Sequence, residues 1–238
     1  MKPIVFYTIN EGLFFWNGQH GLMLDYLFDN TVPAWSDLPD LTHQHMLGHA
    51  GEFSRNHTLL FTHSHPDHYS RRYTQEYTAQ YISHIYGPGV PESTLTPRPL
   101  EPGVSTLRLP GYRVLILSTR HQGGDEPPMG NTMLCLETEG SWYLHLGDSI
   151  LTGELLQTLA RYGVAAPEAI FSNYYHIVPK RQRELLIQLH GQHTFAIHFP
   201  FPEDDAYNIR HRLTRFLSNA REPFLQDVVM PESMSRIL

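Results

Sequence analysis

The chain has few cysteines and no long apolar run. Among its 238 residues there is one cysteine, Cys135, which excludes an internal disulfide framework. Its apolar neighbours at 132–136 predict a buried thiol in the core. No apolar run approaches the roughly 20 residues that a membrane-spanning helix needs. Lys2, Asn10 and Glu11 interrupt the N-terminal segment too early for a signal peptide, so we expect a cytoplasmic protein without a membrane span.

Positive charge is also scarce. The chain has 17 Lys and Arg against 24 Asp and Glu, a formal net charge of −7, and its basic residues form only short groups such as 180–183. Nucleic-acid binding depends on concentrated basic surface, so we expect no nucleic-acid partner. A small-molecule substrate is the expected partner, and the sequence does not indicate an oligomeric state.

Histidine, in contrast, is abundant and clustered. Residues 62–68 read Thr-His-Ser-His-Pro-Asp-His and follow an apolar run at 58–61. Imidazole and carboxylate suit zinc and related divalent ions, and crowding four such groups together is costly unless a cation offsets their desolvation. The segment therefore predicts a metal site rather than a histidine-rich surface turn.

The spacing within this segment predicts two ions. Side chains at i and i+2 of an extended chain share a face, so His63 and His65 can converge on one ion. Pro66 turns the chain, which leaves Asp67 and His68 free to point toward a second ion.

The segment resembles the His-x-His-x-Asp-His signature of the metallo-β-lactamase superfamily. Three later residues match the further ligands of that family in order, each at the end of an apolar run: His121 after 113–118, Asp148 after 142–147 and His198 after 194–197. Asp25, which closes the run 21–24, matches the first acidic motif, which supports the site without binding metal. The resemblance spans almost the whole chain.

The resemblance implies a specific set of ligands. It assigns His63, His65 and His121 to a first ion. It assigns Asp67, His68 and His198 to a second ion, with Asp148 bridging the two. Zinc is the expected metal for these donors, although manganese, iron and nickel also bind imidazole and carboxylate.

A paired metal site predicts hydrolysis. Two ions about 3.5 to 4 Å apart share a water, lower its pKa and hold the resulting hydroxide against a polarised ester or phosphoester. We expect Asp67 and Asp148 to be the catalytic carboxylates. The N-terminal apolar pattern is loosely similar to ascorbate-phosphate lactonase-like members, which favours a small ester, lactone or phosphoester as substrate.

Two other functions remain open at this stage. The first is a thiol or persulfide dioxygenase with a single iron held by His63, His121 and Asp148. The second is a non-catalytic, metal-binding regulatory protein of the same fold.

The alternation of short apolar strands with helical segments predicts an α/β (α+β) fold. The resemblance implies a four-layer αββα sandwich of two mixed β-sheets flanked by helices, as one domain over 1–238 with halves at 1–110 and 111–238. Gly87 to Pro110 is rich in proline and glycine, so no helix is expected there. Strands are predicted at 4–8, 13–16, 21–25, 59–62, 113–118, 131–137, 141–146, 169–172 and 194–198. Helices are predicted at 41–48, 72–82, 152–162, 180–190 and 204–220.

Further candidates lie around the predicted site. Tyr69, Tyr174 and His176 follow predicted strands or the ligand segment and are candidates for substrate binding. His145 is expected to be a buried, hydrogen-bonded residue rather than an eighth ligand. The histidines of 43–57 form either a flap over the metals or a solvated polar segment, and Asp125 and Glu126 in the loop 122–130 would disfavour an anionic substrate if they point inward.

Overall fold

Two mixed β-sheets form the centre of the molecule. The computed structural model describes residues 2–32, 35–54, 57–81, 84–123 and 130–238. The strands are β1 Ile4–Tyr7, β2 Leu13–Trp16, β3 Gly21–Leu24, β4 Thr58–Leu60, β5 His84–Tyr86, β6 Arg98–Glu101, β7 Val104–Leu109, β8 Tyr112–Thr119, β9 Asn131–Thr138, β10 Ser141–His145, β11 Ala169–Ser172, β12 His193–Ala196, β13 Val228–Val229 and β14 Ser235–Arg236.

Helices cover the outer faces of the sheets. They are α1 Asp40–Leu47, α2 Arg71–Gln80, α3 Gly153–Arg161, α4 Tyr174–Ile177, α5 Lys180–Gln188, α6 Ile209–Ser218 and α7 Pro223–Gln226, with a 3₁₀ helix at Gly51–Phe53. Among the described residues no helix is both long and apolar enough to cross a bilayer.

Each sheet contains both parallel and antiparallel pairs. The first sheet has the order β14-β1-β2-β3-β4-β5 and the second the order β13-β12-β11-β10-β9-β8-β7-β6. β3, β4 and β5 run parallel, as do β10, β11, β12 and β13, whereas the remaining neighbours are antiparallel. Glu139 and Gly140 both have positive φ in the turn between β9 and β10, the conformation of a two-residue β-hairpin loop.

Alternation along the strands divides the core into layers. In β8, Val114 and Ile116 pack between the two sheets, whereas Leu115 and Leu117 pack under the helices of the second sheet. This is the period of two that a strand with both faces buried requires. Leu186 of α5 and Leu213 of α6 pack in the same layer as Leu115 and Leu117. A further apolar layer lies between the first sheet and α2. The order of layers is therefore helix, sheet, sheet, helix, as predicted.

The structure differs from the predicted boundary between the halves. The chain enters the second sheet at β6, whereas the predicted boundary between the halves is at residue 110. The C-terminal strand β14 returns to the first sheet. Pro99 is compatible with β6 because β6 is an edge strand, where a missing N–H breaks no ladder.

Helix α6 is shorter at its start than predicted. Asn208 has positive φ, and the carboxylate of Asp205 accepts hydrogen bonds from the backbone N–H groups of Ile209 and Arg210. Because of these two features, the helix begins at Ile209 rather than at residue 204. The last residue of the predicted helix 72–82 lies outside the described residues.

Candidate metal centre

The histidine-rich segment leaves the first sheet directly after β4 and is fixed by Asp25. The Asp25 carboxylate is fully buried and accepts hydrogen bonds from the backbone N–H and the hydroxyl of Thr62, at 2.8 and 2.7 Å. It also accepts from Nδ1 of His68 at 3.0 Å and Nε2 of His145 at 2.8 Å. Asp25 thus holds His68 from behind, the geometry that its predicted supporting role requires.

The three residues predicted for the first ion lie together. Donor atoms of His63, His65 and His121 all lie within 4.8 Å of one another. Nε2 of His63 is 3.1 Å from Nδ1 of His65, so the i, i+2 spacing converges as expected. His121 arrives from the second sheet, where it forms an isolated bridge with Ser149 after β8.

The three residues predicted for the second ion also meet. Donor atoms of Asp67, His68 and His198 lie within 4.8 Å of one another, and all three side chains are buried. Nε2 of His198 is 3.0 Å from Oδ2 of Asp67, and Nε2 of His68 is 3.7 Å from the same oxygen. His198 follows β12 and has positive φ, a conformation that a β-strand continuing through this residue would not allow.

Asp148 lies between the two groups. Its Oδ2 atom is 3.3 Å from Nε2 of His121 and 3.7 Å from Nε2 of His68, one residue from each group. This position is the one that the predicted bridging role needs. Gly147 has a φ of 51°, and a Cβ added there would lie 2.9 Å from the methyl carbon of Thr62. Glycine before Asp148 is therefore required for both the turn and the close approach.

Asn173 orients Asp148, and its role was missing from the predicted site. Its side-chain amide donates to Oδ1 of Asp148 at 2.7 Å and to the carbonyl of Gly147 at 3.1 Å. The sequence signal was its position directly after the predicted strand 169–172, which drew attention to Tyr174 and His176 instead.

His176 is a structural neighbour of the site. It is fully buried, its Nε2 donates to the carbonyl of Ser149 at 2.7 Å, and its Nδ1 accepts from the backbone N–H of Asn173. Both ring nitrogens are therefore used within the protein. The structure thus gives His176 a place in fixing Ser149 and Asn173, and leaves it no free nitrogen for a substrate.

A second unforeseen residue, Glu11, lies in the cluster. It is fully buried, with Oε1 3.3 Å from Nδ1 of His198 and Oε2 3.6 Å from Nδ1 of His145. Donor atoms of Glu11, Asp148 and His198 lie within 4.8 Å of one another. Glu11 is the only Asp, Glu, Lys or Arg between residues 3 and 24, and this isolated charge in an apolar segment was the available signal.

Burial and the neighbouring charges together set the pKa values in the cluster. Burial alone would lower the pKa of His68, but Asp67 and Asp25 hold the pKa of this histidine well above its usual value. Burial would likewise lower the pKa of His198. Asp148 and Glu11 outweigh this effect and raise the pKa to about 10. The pKa of Glu11 is raised to about 7 because burial exceeds the attraction of His198 and His145.

Burial lowers the pKa of three other histidines in and beside the cluster. Burial, followed by the nearby His68, lowers the pKa of His63 well below its usual value, and burial with His121 lowers the pKa of His65. Burial lowers the pKa of His176 to about 4. Neutral imidazole is the form that binds metal, so His63 and His65 need no deprotonation before binding.

The donor set fits divalent metal ions. Among the described residues, Nε2 of His68 is buried without a hydrogen-bond partner. A buried polar atom without a partner is costly, and a cation at this position would remove that cost. Imidazole nitrogen with carboxylate oxygen is a ligand set for zinc, manganese, iron or nickel.

The structure gives Tyr69 and Tyr174 contacts elsewhere. Tyr69 packs against Phe61 in the cluster under α2, and its hydroxyl donates to Glu92 at 2.5 Å. Tyr174 packs under the guanidinium of Arg212 and lines a cavity of about 560 Å³ between α4, α5 and α6. None of the seven predicted ligands lines that cavity, so we do not regard it as the site of metal chemistry.

Trp35 covers one side of the cluster. Its ring stacks on that of His198, with 4.1 Å between ring centroids and an interplanar angle of 7°. Sequence analysis did not single out this tryptophan, because no motif surrounds it. His145 is a fully buried residue bonded to Asp25, as expected.

The histidines of the segment 43–57 do not form a single flap. His43 pairs with Glu76 on α2 at 2.8 Å, and His57 is buried against Phe14. Both residues belong to the outer layer of the first sheet. Asp125 and Glu126 lie outside the described residues.

Comparisons with known proteins identify the fold. No family model matches the chain, and no curated protein matches it. Solved structures do: the protein superposes on Igni18, a metallo hydrolase from Ignicoccus hospitalis, with a TM-score of 0.70 at 15% identity over 100% of this chain and 98% of that one. It superposes on YhfI, a metallo-β-lactamase fold protein from Bacillus subtilis, with a TM-score of 0.61 at 11% identity over 100% and 99% of the two chains.

A third similar structure has a different chemistry. CmlA, a diiron β-hydroxylase from Streptomyces venezuelae, superposes with a TM-score of 0.63 at 12% identity over 99% of this chain and 54% of that one. The likenesses agree with the two mixed sheets and the four layers described above. The chain has the metallo-β-lactamase fold, as the ligand motif predicts.

Proposed function

We propose that the protein is a metal-dependent hydrolase that uses two divalent ions. The observation that carries the proposal is the convergence of the seven predicted donors into two groups joined by Asp148. These donors come from four separate parts of the chain, and burial of so many polar groups in one place has little structural use. The name of the similar protein Igni18, a metallo hydrolase, agrees with this class.

The proposed ligands follow the two groups. His63, His65 and His121 would hold the first ion, and Asp67, His68 and His198 the second, with Asp148 contacting both. Zinc is the proposed metal because five of these seven donors are imidazoles. When bound, the ions would activate water and polarise the bond to be cleaved.

The side chains contribute positioning and proton handling. Oδ2 of Asp67 lies 3.0 Å from Nε2 of His198, so the carboxylate is aimed into the cluster, where it can orient a water and accept its proton. Asn173 occupies Oδ1 of Asp148 and thereby leaves Oδ2 for the metals. Trp35, stacked on His198, would exclude water from one side of the substrate.

The proposed substrate is a small molecule with an ester, lactone or phosphoester bond. A carbonyl or phosphoryl oxygen is the group that a metal ion polarises, and the polar, carboxylate-rich cluster needs bound cations before it can accept an electron-rich oxygen. We also propose a cytoplasmic location, and no nucleic-acid partner because the formal net charge is −7.

The test combines metal analysis with an activity panel. Protein purified without chelator is expected to contain two divalent ions per chain and to hydrolyse at least one member of a panel of small esters, lactones and phosphodiesters. Asp148→Ala is expected to lose metal and turnover together, whereas Asp227→Ala, at an exposed carboxylate, retains both. An Asp148→Ala protein with full metal content and unchanged activity would contradict the bridging role.

Iron-dependent oxidation is the second candidate, because the diiron β-hydroxylase CmlA shares the fold. Iron in the purified protein together with oxygen consumption on a thiol or other organic substrate would favour it over hydrolysis. Two bound ions with no turnover in either assay would favour a metal-binding regulatory protein.

A further inference from the structure

Glu11 is the one carboxylate of the cluster that the predicted ligand set leaves without a role. It is fully buried, and among the described residues neither of its oxygens has a hydrogen-bond partner. Removing an ionised carboxylate from water without such partners is costly. Its nearest counter-charge is the imidazole of His198 at 3.3 Å, which ties Glu11 to the proposed second ion.

The backbone fixes Glu11 beside His198. The N–H of His198 donates to the carbonyl of Asn10 at 2.7 Å, and the N–H of Asn10 donates to the carbonyl of Phe199 at 2.9 Å. These two bonds join the turn after β1 to the chain after β12. A Cβ on Gly12 would lie 2.1 Å from the hydroxyl of Thr8, so the tight form of this turn depends on glycine.

The two histidines proposed for the second ion have the same arrangement behind their rings. Nδ1 of His68 faces Asp25 at 3.0 Å, and Nδ1 of His198 faces Glu11 at 3.3 Å. Nε2 of each ring lies toward Asp67. His145 lies between the two carboxylates, with Nε2 2.8 Å from Asp25 and Nδ1 3.6 Å from Glu11.

Asp148 also lies 3.3 Å from Nδ1 of His198, through Oδ1. That oxygen already accepts the amide of Asn173 at 2.7 Å, and Oδ2 faces His121 and His68. Both oxygens of Asp148 are thus already engaged, whereas among the described residues both oxygens of Glu11 remain available to accept from the Nδ1–H of His198. A carboxylate behind a metal-binding imidazole fixes the tautomer and makes the other nitrogen a better donor.

We propose that Glu11 is a positioning residue of the metal centre, which orients His198 through Nδ1 and completes the charge of the cluster. Glu11, Asp25, Asp67 and Asp148 are four buried carboxylates, and two divalent ions carry four positive charges. The inference rests on the metal site of the proposed function but not on the reaction.

The test compares Glu11→Gln, which keeps the shape and removes the charge, with Glu11→Asp and with Glu203→Gln at an exposed position. Metal content and chelator competition with Co²⁺ are measured for each protein, together with the Co²⁺ absorption spectrum. We expect Glu11→Gln to bind the weaker of two ions about 10- to 100-fold less tightly, with an altered spectrum, and the other ion as in wild type. Glu11→Asp keeps the charge but has a shorter side chain, so its affinity for this ion is expected to lie between those of wild type and Glu11→Gln.

Thermal unfolding with and without metal separates this role from a structural one. Because Glu11→Gln weakens metal binding, added ion is expected to raise its unfolding midpoint less than that of wild type, by about 3 to 6 °C for a tenfold loss of affinity, whereas loss of a structural contact would lower the midpoint equally with and without metal. Unchanged metal affinity in Glu11→Gln, or a midpoint lowered equally with and without metal, overturns the inference while leaving the metal site intact. A wild-type protein that binds no divalent ion overturns the proposed function as well, so the two failures are distinguishable.

Discussion

The side-chain amide of Asn173 donates a 2.7 Å hydrogen bond to Oδ1 of Asp148, and the same nitrogen lies 3.1 Å from the carbonyl of Gly147. One amide thus fixes both the carboxylate and the backbone turn that presents it. Asp148 is buried, and its Oδ2 faces His121 of one histidine group and His68 of the other. Its orientation determines whether two ions can share it.

Asn173→Ala is expected to lower metal affinity about 10- to 100-fold and turnover by at least as much, because Asp148 then loses the partner that fixes its plane. Chelator competition and steady-state kinetics measure the two effects. Asn219→Ala removes an exposed asparagine at the end of α6 and is the control. Equal metal affinity in the two variants would show that Asp148 keeps its orientation without Asn173.

Removal of metal is expected to destabilise the protein. A ligand at 100 times its dissociation constant contributes about 2.7 kcal/mol, which corresponds to a midpoint shift of about 5 to 10 °C for a chain of this size. A chelator is therefore expected to lower the thermal midpoint, and added Zn²⁺ to restore it. Identical unfolding curves with and without chelator would argue against a metal in the folded protein.

Metal binding is also expected to release protons. The pKa values of His68 and His198 are raised in the metal-free cluster, that of His198 to about 10, so ions must displace protons from both rings at neutral pH. Affinity therefore falls as the pH is lowered. Calorimetric titrations in two buffers with different ionisation enthalpies give the number of protons, and identical enthalpies in both buffers would contradict this expectation.

Gly147→Ala is expected to cost about 3 kcal/mol of unfolding free energy. The added Cβ meets Thr62 at 2.9 Å, and the backbone there has positive φ. Gly163→Ala, which has positive φ but no atom within 4 Å of the added Cβ, is expected to cost about 1 kcal/mol. Urea unfolding of the metal-free proteins gives both values; equal losses would mean that Thr62 moves aside freely.

His176 predicts an acid-dependent loss of stability. Its pKa is lowered from 6.5 to about 4 in the folded protein, so protons bind the unfolded chain first. The contribution of His176 is complete above pH 6.5 and falls by about 3 kcal/mol as the pH drops to 4. His176→Gln lacks this proton uptake. Its unfolding free energy, measured without metal, is therefore expected to depend less steeply on pH between 6.5 and 4 than that of wild type or of the exposed variant His211→Gln.

The sequence predicted the fold because the fold depends on short patterns, and the candidate donors were found in the same way. Alternating apolar residues at 113–118 and 131–137 are visible without a structure, and the donors follow such strands in a fixed order. Edge strand β6 was missed because Pro99 and its neighbours lack a strand pattern. The predictions for Tyr69 and Tyr174 rest on their position after a motif or strand, and position alone does not reveal which way a side chain points.

Glu11 and Asn173 could not be assigned from local pattern. Glu11 meets His198 only because the turn after β1 bonds to the chain after β12, a contact between distant parts of the sequence. Asn173 meets Asp148 through the parallel pairing of β10 with β11. Supporting residues of this kind become visible only when the strands are placed beside one another.

The donors are divided between the two sheets, and Asp67 and His198, 3.0 Å apart, are separated by 131 positions in the chain. An ion held by both would act as a reversible cross-link that closes a very long loop. Escape from the native state, by proteolysis or under mechanical pulling, would then require the ion to leave first. The lifetime of the folded protein would follow metal supply, even where each sheet remains well packed by itself.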